Sequence, residues 1–107
     1  MDADIKNKWI EALKSGEYKQ GTGRLRKTDN RYCCLGVLCD VYAKTLNKEW
    51  RKANDFYFSF DGSYSSLSPT VEKWAGINVV KQSELIHLND DERLTFDQIA
   101  DHIEEKF

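Results

Sequence analysis

Breakers of regular structure are scarce in this chain: 107 residues hold one proline and six glycines. With 40% hydrophobic and 32% charged residues, that scarcity excludes the disordered and fibrous classes. Cysteine is also sparse. There are three, an odd number, with Cys33 and Cys34 adjacent, which fits reduced thiols better than a disulfide framework. No secretory signal is expected from Met1-Asp2-Ala3-Asp4, whose acidic residues are unlike a signal peptide. No apolar run approaches the roughly 18–20 residues that span a bilayer, so no membrane partner is expected. Phosphate-loop, G-x-S-x-G and H-E-x-x-H patterns are absent, and Cys33, Cys34 and Cys39 lack the C-x-x-C pairing of zinc sites. Neither a metal nor a cofactor is expected.

What is present is one run around which the rest is organised, Arg31-Tyr32-Cys33-Cys34-Leu35-Gly36-Val37-Leu38-Cys39-Asp40-Val41-Tyr42-Ala43. At helical period, Cys34, Leu38, Val41 and Thr45 share one face, and Leu35, Cys39 and Tyr42 the next. So wide an apolar surface predicts a helix, from about Cys34 to Leu46, buried on several sides. Gly36 is poor for helix propensity and so marks a close backbone approach. The length predicts a single compact domain over 1–107.

Before that run, Ile5, Trp9, Ala12 and Leu13 recur at helical spacing, with acidic Asp2 and Asp4 at the start and Gly16 at the end. They predict a helix from Ala3 to Ser15. Arg24-Leu25-Arg26 and Arg31-Tyr32-Cys33 flank a turn cluster and predict a short antiparallel hairpin with Leu25 inward. Further on, Phe56-Tyr57-Phe58-Ser59-Phe60 alternates, Asp61-Gly62 suits a type I′ turn, and Ser63 to Leu67 returns. This predicts a second hairpin with three phenylalanines on its buried face.

Ser68-Pro69 sets up a third helix, with Val71, Trp74 and Ala75 inward and Gly76 as its stop. Asn78 to Leu88 fits a strand or a helical turn, and Asn89-Asp90-Asp91-Glu92 reads as an acidic turn. Thr95 and Gln98 form a capping box for a last helix over Phe96 to Lys106, with Leu94 stapling to Ile99. The expected fold is α+β: about four helices and two short antiparallel hairpins around one buried central helix.

Three constellations bear on function. Cys33 or Cys34 at a helix start, with His87 or His102 as base and Asp40 to orient it, would make a thiol enzyme. A thiol in so apolar a run is more often a small hydrophobe, and packing is the favoured reading. The second is Glu17 to Lys27 with Arg31. Gly21 and Gly23 free backbone N–H groups, Thr22 adds a hydroxyl, and Tyr18, Lys19, Arg24, Arg26, Lys27 and Arg31 add an aromatic and cations. Such a group can hold a phosphate or a carboxylate, on a protein or on a small anionic nucleotide, and its bland alternative is a plain solvated hairpin. The third is charge asymmetry. Lys and Arg outnumber Asp and Glu by 12 to 8 up to Phe60, and from Asp61 the ratio is 4 to 10. The acidic half suits a basic partner or plain solvation. A net charge of −2 argues against general duplex nucleic acid binding.

Trp9 to Gly21, Leu25-Arg26 and Tyr32-Cys33-Cys34-Leu35-Gly36-Val37-Leu38-Cys39-Asp40 resemble a family of small phage and prophage proteins. So do Leu67-Ser68-Pro69 through Trp74-Ala75-Gly76, Leu88-Asn89-Asp90, and Thr95-Phe96 through Ile99-Ala100-Asp101. The likeness covers most of the chain except roughly 45–66. It implies an origin more than an activity. Phages use such domains to redirect or inhibit host systems by stoichiometric binding, which implies a non-enzymatic accessory protein in the host cytoplasm. Its target would be a defence protein or its nucleotide signal. A virion accessory protein and the thiol enzyme are the alternatives.

Overall fold

A computed structural model describes residues 1–107 as an α+β fold of five α-helices and two two-stranded sheets. Helix α1 (Ala3–Lys14) begins where the Asp2 side chain accepts from the Ile5 N–H at 3.0 Å, and Gly16 turns away at φ +77°. Strands β1 (Lys19–Gln20) and β2 (Arg31–Tyr32) precede α2 (Cys34–Leu46). Strands β3 (Arg51–Lys52) and β4 (Phe58–Ser59) lead to α3 (Pro69–Ala75) and α4 (Val79–Ile86). A π-helical turn, His87–Asp91, then leads to α5 (Phe96–Lys106).

Helix α2 is the centre of the molecule because Cys34 through Ala43 are all buried. Leu25 crosses against its first turn, where a Cβ on Gly36 would lie 1.8 Å from the Leu25 carbonyl oxygen. Only glycine permits that crossing. Trp9, fully buried on α1, donates its indole N–H to the Cys34 carbonyl at 3.0 Å. Helix α5 carries the expected capping box at Thr95 and Gln98 and packs along α1. Ser68, Pro69 and Gly76 bound α3 as expected. One cluster of 22 buried residues forms the core. An aromatic row, Tyr18, Tyr32, Trp50, Phe60, Tyr42 and Trp74, runs through it with successive ring centroids 5.0–6.0 Å apart.

The structure departs from expectation in three places. There are five helices, not four, because Val79–Ile86 is helical. Asn78 caps α4 by accepting from the Lys81 N–H at 2.9 Å. Gln82 accepts from the Leu67 N–H at 3.0 Å and donates to Glu72 at 2.6 Å. Those tertiary bonds, with buried Leu85, outweigh the strand preference of Val79-Val80, which stay exposed. The expected acidic turn is the π-helical turn.

The first hairpin is reduced to a single antiparallel bridge, Arg26 to Tyr32. Strand β2 pairs instead with β1, in parallel, Lys19 opposite Arg31. Leu25 is inward as expected, but its N–H donates to the Tyr64 carbonyl at 2.8 Å, so its segment is drawn toward the second hairpin.

That second hairpin keeps its tight turn, Asp61 and Gly62 having φ +51° and +82°, and Phe60 and Ser63 exchange hydrogen bonds at 2.7 and 3.0 Å. Pairing stops there, and β4 joins β3 in antiparallel register instead. The face is covered by core only at its end. Phe60 is buried, Phe58 half-buried, and Phe56 is 77% exposed.

Candidate functional site

The glycine loop between β1 and β2 is built from its backbone bonds. The Gly21 N–H donates to the Tyr32 carbonyl at 2.7 Å, and the Gly21 carbonyl accepts from the Asn89 side-chain amide at 2.9 Å. A Cβ at Gly21 would stand 2.8 Å from that of Arg31. Asn89, on the π-helical turn and 1% exposed, also accepts from Gln20 at 3.0 Å and the Cys34 N–H at 3.3 Å. It donates to Asp90 as well, and the other Asp90 oxygen accepts from the Gly23 N–H at 3.1 Å. The two amides expected to face a ligand are therefore already engaged, one by the backbone and one by the chain's own carboxylate. The importance of Asn89 and Asp90 was missed from sequence. Its only trace was the place of Leu88-Asn89-Asp90 among the matched segments.

The other expected binding residues divide between two concavities. Tyr18, Lys19 and Arg26 line an open one of about 630 Å³ with Glu17, Asp29 and Asp40. Arg31, exposed, pairs with Asp29 at 3.3 Å. Asp40, buried on α2, accepts from the Tyr18 hydroxyl and, at 3.0 Å, from the Trp50 indole, and Lys44 lies 3.4 Å away. Burial first, then the Asp40 carboxylate, pushes the Tyr18 hydroxyl well above its usual range, so it stays a donor. Arg26 reaches Asn30 at 2.7 Å and stacks 4.2 Å from the Phe58 ring centroid. Charges of both signs share this concavity, and Asp40 with Lys44 and Asp29 with Arg31 are paired internally.

Thr22, Gly23, Arg24 and Lys27 line the second, of about 540 Å³, with Phe56 and Tyr57. The Arg24 guanidinium lies 4.7 Å from the Tyr57 centroid and 5.4 Å from that of Tyr64, and donates to the Gly23 carbonyl at 2.8 Å. This is a surface of half-buried cations and aromatic rings from which Phe56 stands exposed. Phe56 and Tyr57 were not expected in it, because the alternating pattern placed Phe56 in the core.

The thiols stand apart from both. Cys33, Cys34 and Cys39 are buried, and burial raises all three pKa values, Cys33 to about 11 although the amides of Gly36 and Leu35 pull it down. The Cys34 thiol contacts the Leu85 carbonyl at 3.8 Å. His87 bonds Asp91 at 2.9 Å, and His102 lies 3.5 Å from Glu84. Neither imidazole is paired with a thiol, and Asp40 orients Tyr18 and Trp50 instead of a histidine. No three His, Cys, Asp or Glu side chains are grouped to hold a metal ion. No helix is long and apolar enough to cross a membrane.

Over residues 1–107 the chain matches the model of a family described as a domain of unknown function (DUF8296). No curated protein and no solved structure matches it.

Proposed function

We infer, for a chain that belongs to the DUF8296 domain family, a non-catalytic role: a phage-type accessory protein that blocks a host component in the cytoplasm by binding it. The carrying observation is the surface on which exposed Phe56 stands beside half-buried Arg24, Lys27 and Tyr57. Arginine and aromatic residues are the side chains enriched where proteins bind one another, and the cations suit an acidic partner. Burial of every thiol counts against the thiol enzyme, because the nucleophile is the thiolate. A protein target is favoured over a nucleotide because Asp90 already holds the Gly23 amide a phosphate would use.

An affinity pull-down of the tagged chain from lysate of the host bacterium, with mass spectrometry of proteins and small molecules, tests this. One host protein recovered in equimolar amount, and lost with Lys27→Glu, supports it. Recovery of neither a protein nor a nucleotide by the wild-type chain sinks it.

A further inference from the structure

We propose that Phe56 is a pre-positioned anchor that fills an apolar pocket rimmed by carboxylates on a protein partner, with Arg24 and Lys27 meeting that rim. This rests on the binding role inferred above and names the residue that would dominate it. The ring is 77% exposed, yet its backbone is pinned. The Phe56 and Tyr57 N–H groups donate to the Asn54 side chain at 2.8 and 3.1 Å. The Phe56 carbonyl accepts from the Thr28 N–H at 3.1 Å, and the Asp55 carbonyl from the Thr28 hydroxyl at 2.9 Å. Ala53 N–H closes the loop onto the Tyr57 carbonyl at 3.1 Å. A large apolar side chain held outward on a fixed backbone loses little conformational freedom on docking.

The surroundings specify the partner. Tyr57 and Tyr64 lie against each other, tilted by 35°, with Arg24 over both rings, which leaves Tyr57 half-buried and Tyr64 46% exposed, whereas no ring or cation covers Phe56. A single ring so much more open than its neighbours is a plug for a pocket. It is not the succession of open rings on which bases of a single strand stack. Lys27 and Arg24 border it, and exposed Arg51 and Lys52 precede it on β3, against Asp55. That local excess of positive charge calls for carboxylates opposite.

The test places the photoreactive analogue p-benzoylphenylalanine at position 56 of the full chain in the host bacterium, with the same analogue at exposed Val80 as control. The expected result is one protein cross-linked from 56 and not from 80, with the cross-link mapping to an apolar pocket flanked by Asp or Glu. Against that purified protein, Phe56→Ser and Lys27→Glu should each weaken binding by about tenfold or more with unchanged circular dichroism. A cross-link to a second copy of this chain, to nucleic acid, or to a site without carboxylates overturns the proposal. If Phe56→Ser still holds the partner with undiminished affinity, the anchor fails and the binding role stands. If the wild-type chain captures no partner at all, both fail.

Discussion

At Gly36 a single hydrogen atom stands where any other residue would put a carbon into the Leu25 carbonyl. That neighbour is backbone and cannot swing aside. Gly36→Ala is therefore expected to destabilise the protein by about 3 kcal/mol or more, which urea unfolding will read. Helix propensity alone would make the change favourable, so the sign of the result decides between crossing and propensity. Asp40→Ala strands the Trp50 indole N–H and the Tyr18 hydroxyl in a half-buried setting, and a loss of about 3 kcal/mol is expected by the same measurement. The three thiols should react slowly with iodoacetamide at neutral pH in the folded chain and quickly in urea. Rapid alkylation of native Cys33 or Cys34 would revive the thiol enzyme. At this scale the sequence was uneven in what it disclosed. A glycine inside an apolar helix announces a close approach, because little else explains its cost. Asn89 looked like turn chemistry, because three of its four partners, Gln20, Gly21 and Cys34, lie far back along the chain. Phe56 looked buried, because alternation says which residues share a face and not whether anything covers it.

Helix ends were legible because capping is local. Ser68 with Pro69, Thr95 with Gln98, and Gly76 act within four residues of themselves, and all stand where the sequence put them. Thr95→Ala is expected to cost about 1 kcal/mol and to speed amide exchange in the first turn of α5, whereas Thr95→Ser should do neither to a comparable degree. Strand pairing was not legible. The fragments that look like partners, Arg24–Arg26 with Arg31–Cys33 and Phe56–Phe60 with Ser63–Leu67, each keep one bridge and then turn to other segments. The π-helical turn has its own signature. His87 is raised above its ordinary pKa by its bond to Asp91, so it binds its proton more tightly folded than unfolded. Its contribution is full below the unfolded pKa of about 6.5 and is lost as pH rises through the higher folded value. The urea midpoint difference between wild type and His87→Ala should shrink upward from about pH 6.5, and a difference growing with pH would contradict the assignment.

Over the whole molecule, the two oppositely charged halves do meet. Lys14 pairs with Asp101 at 2.7 Å, Lys6 reaches the Glu104 carbonyl at 3.0 Å, and Gly23 holds Asp90. The first of these pairs is exposed and contributes little by itself, so the joining of halves rests on the shared core. Fluorescence of Trp9, Trp50 and Trp74, whose side chains enter that cluster, should lose its native signal at the same urea concentration as helical circular dichroism. Two separate midpoints would divide the core. Asn89 ties Gln20, Gly21 and the start of α2 to a point about 55–69 residues downstream. A nascent chain whose ribosome has not yet delivered that asparagine cannot shape the loop beside Arg24 and Lys27, however much of the basic half has emerged. Competence to engage a target would then arrive all at once, only after Asn89 has emerged, leaving any shorter nascent chain inert toward it.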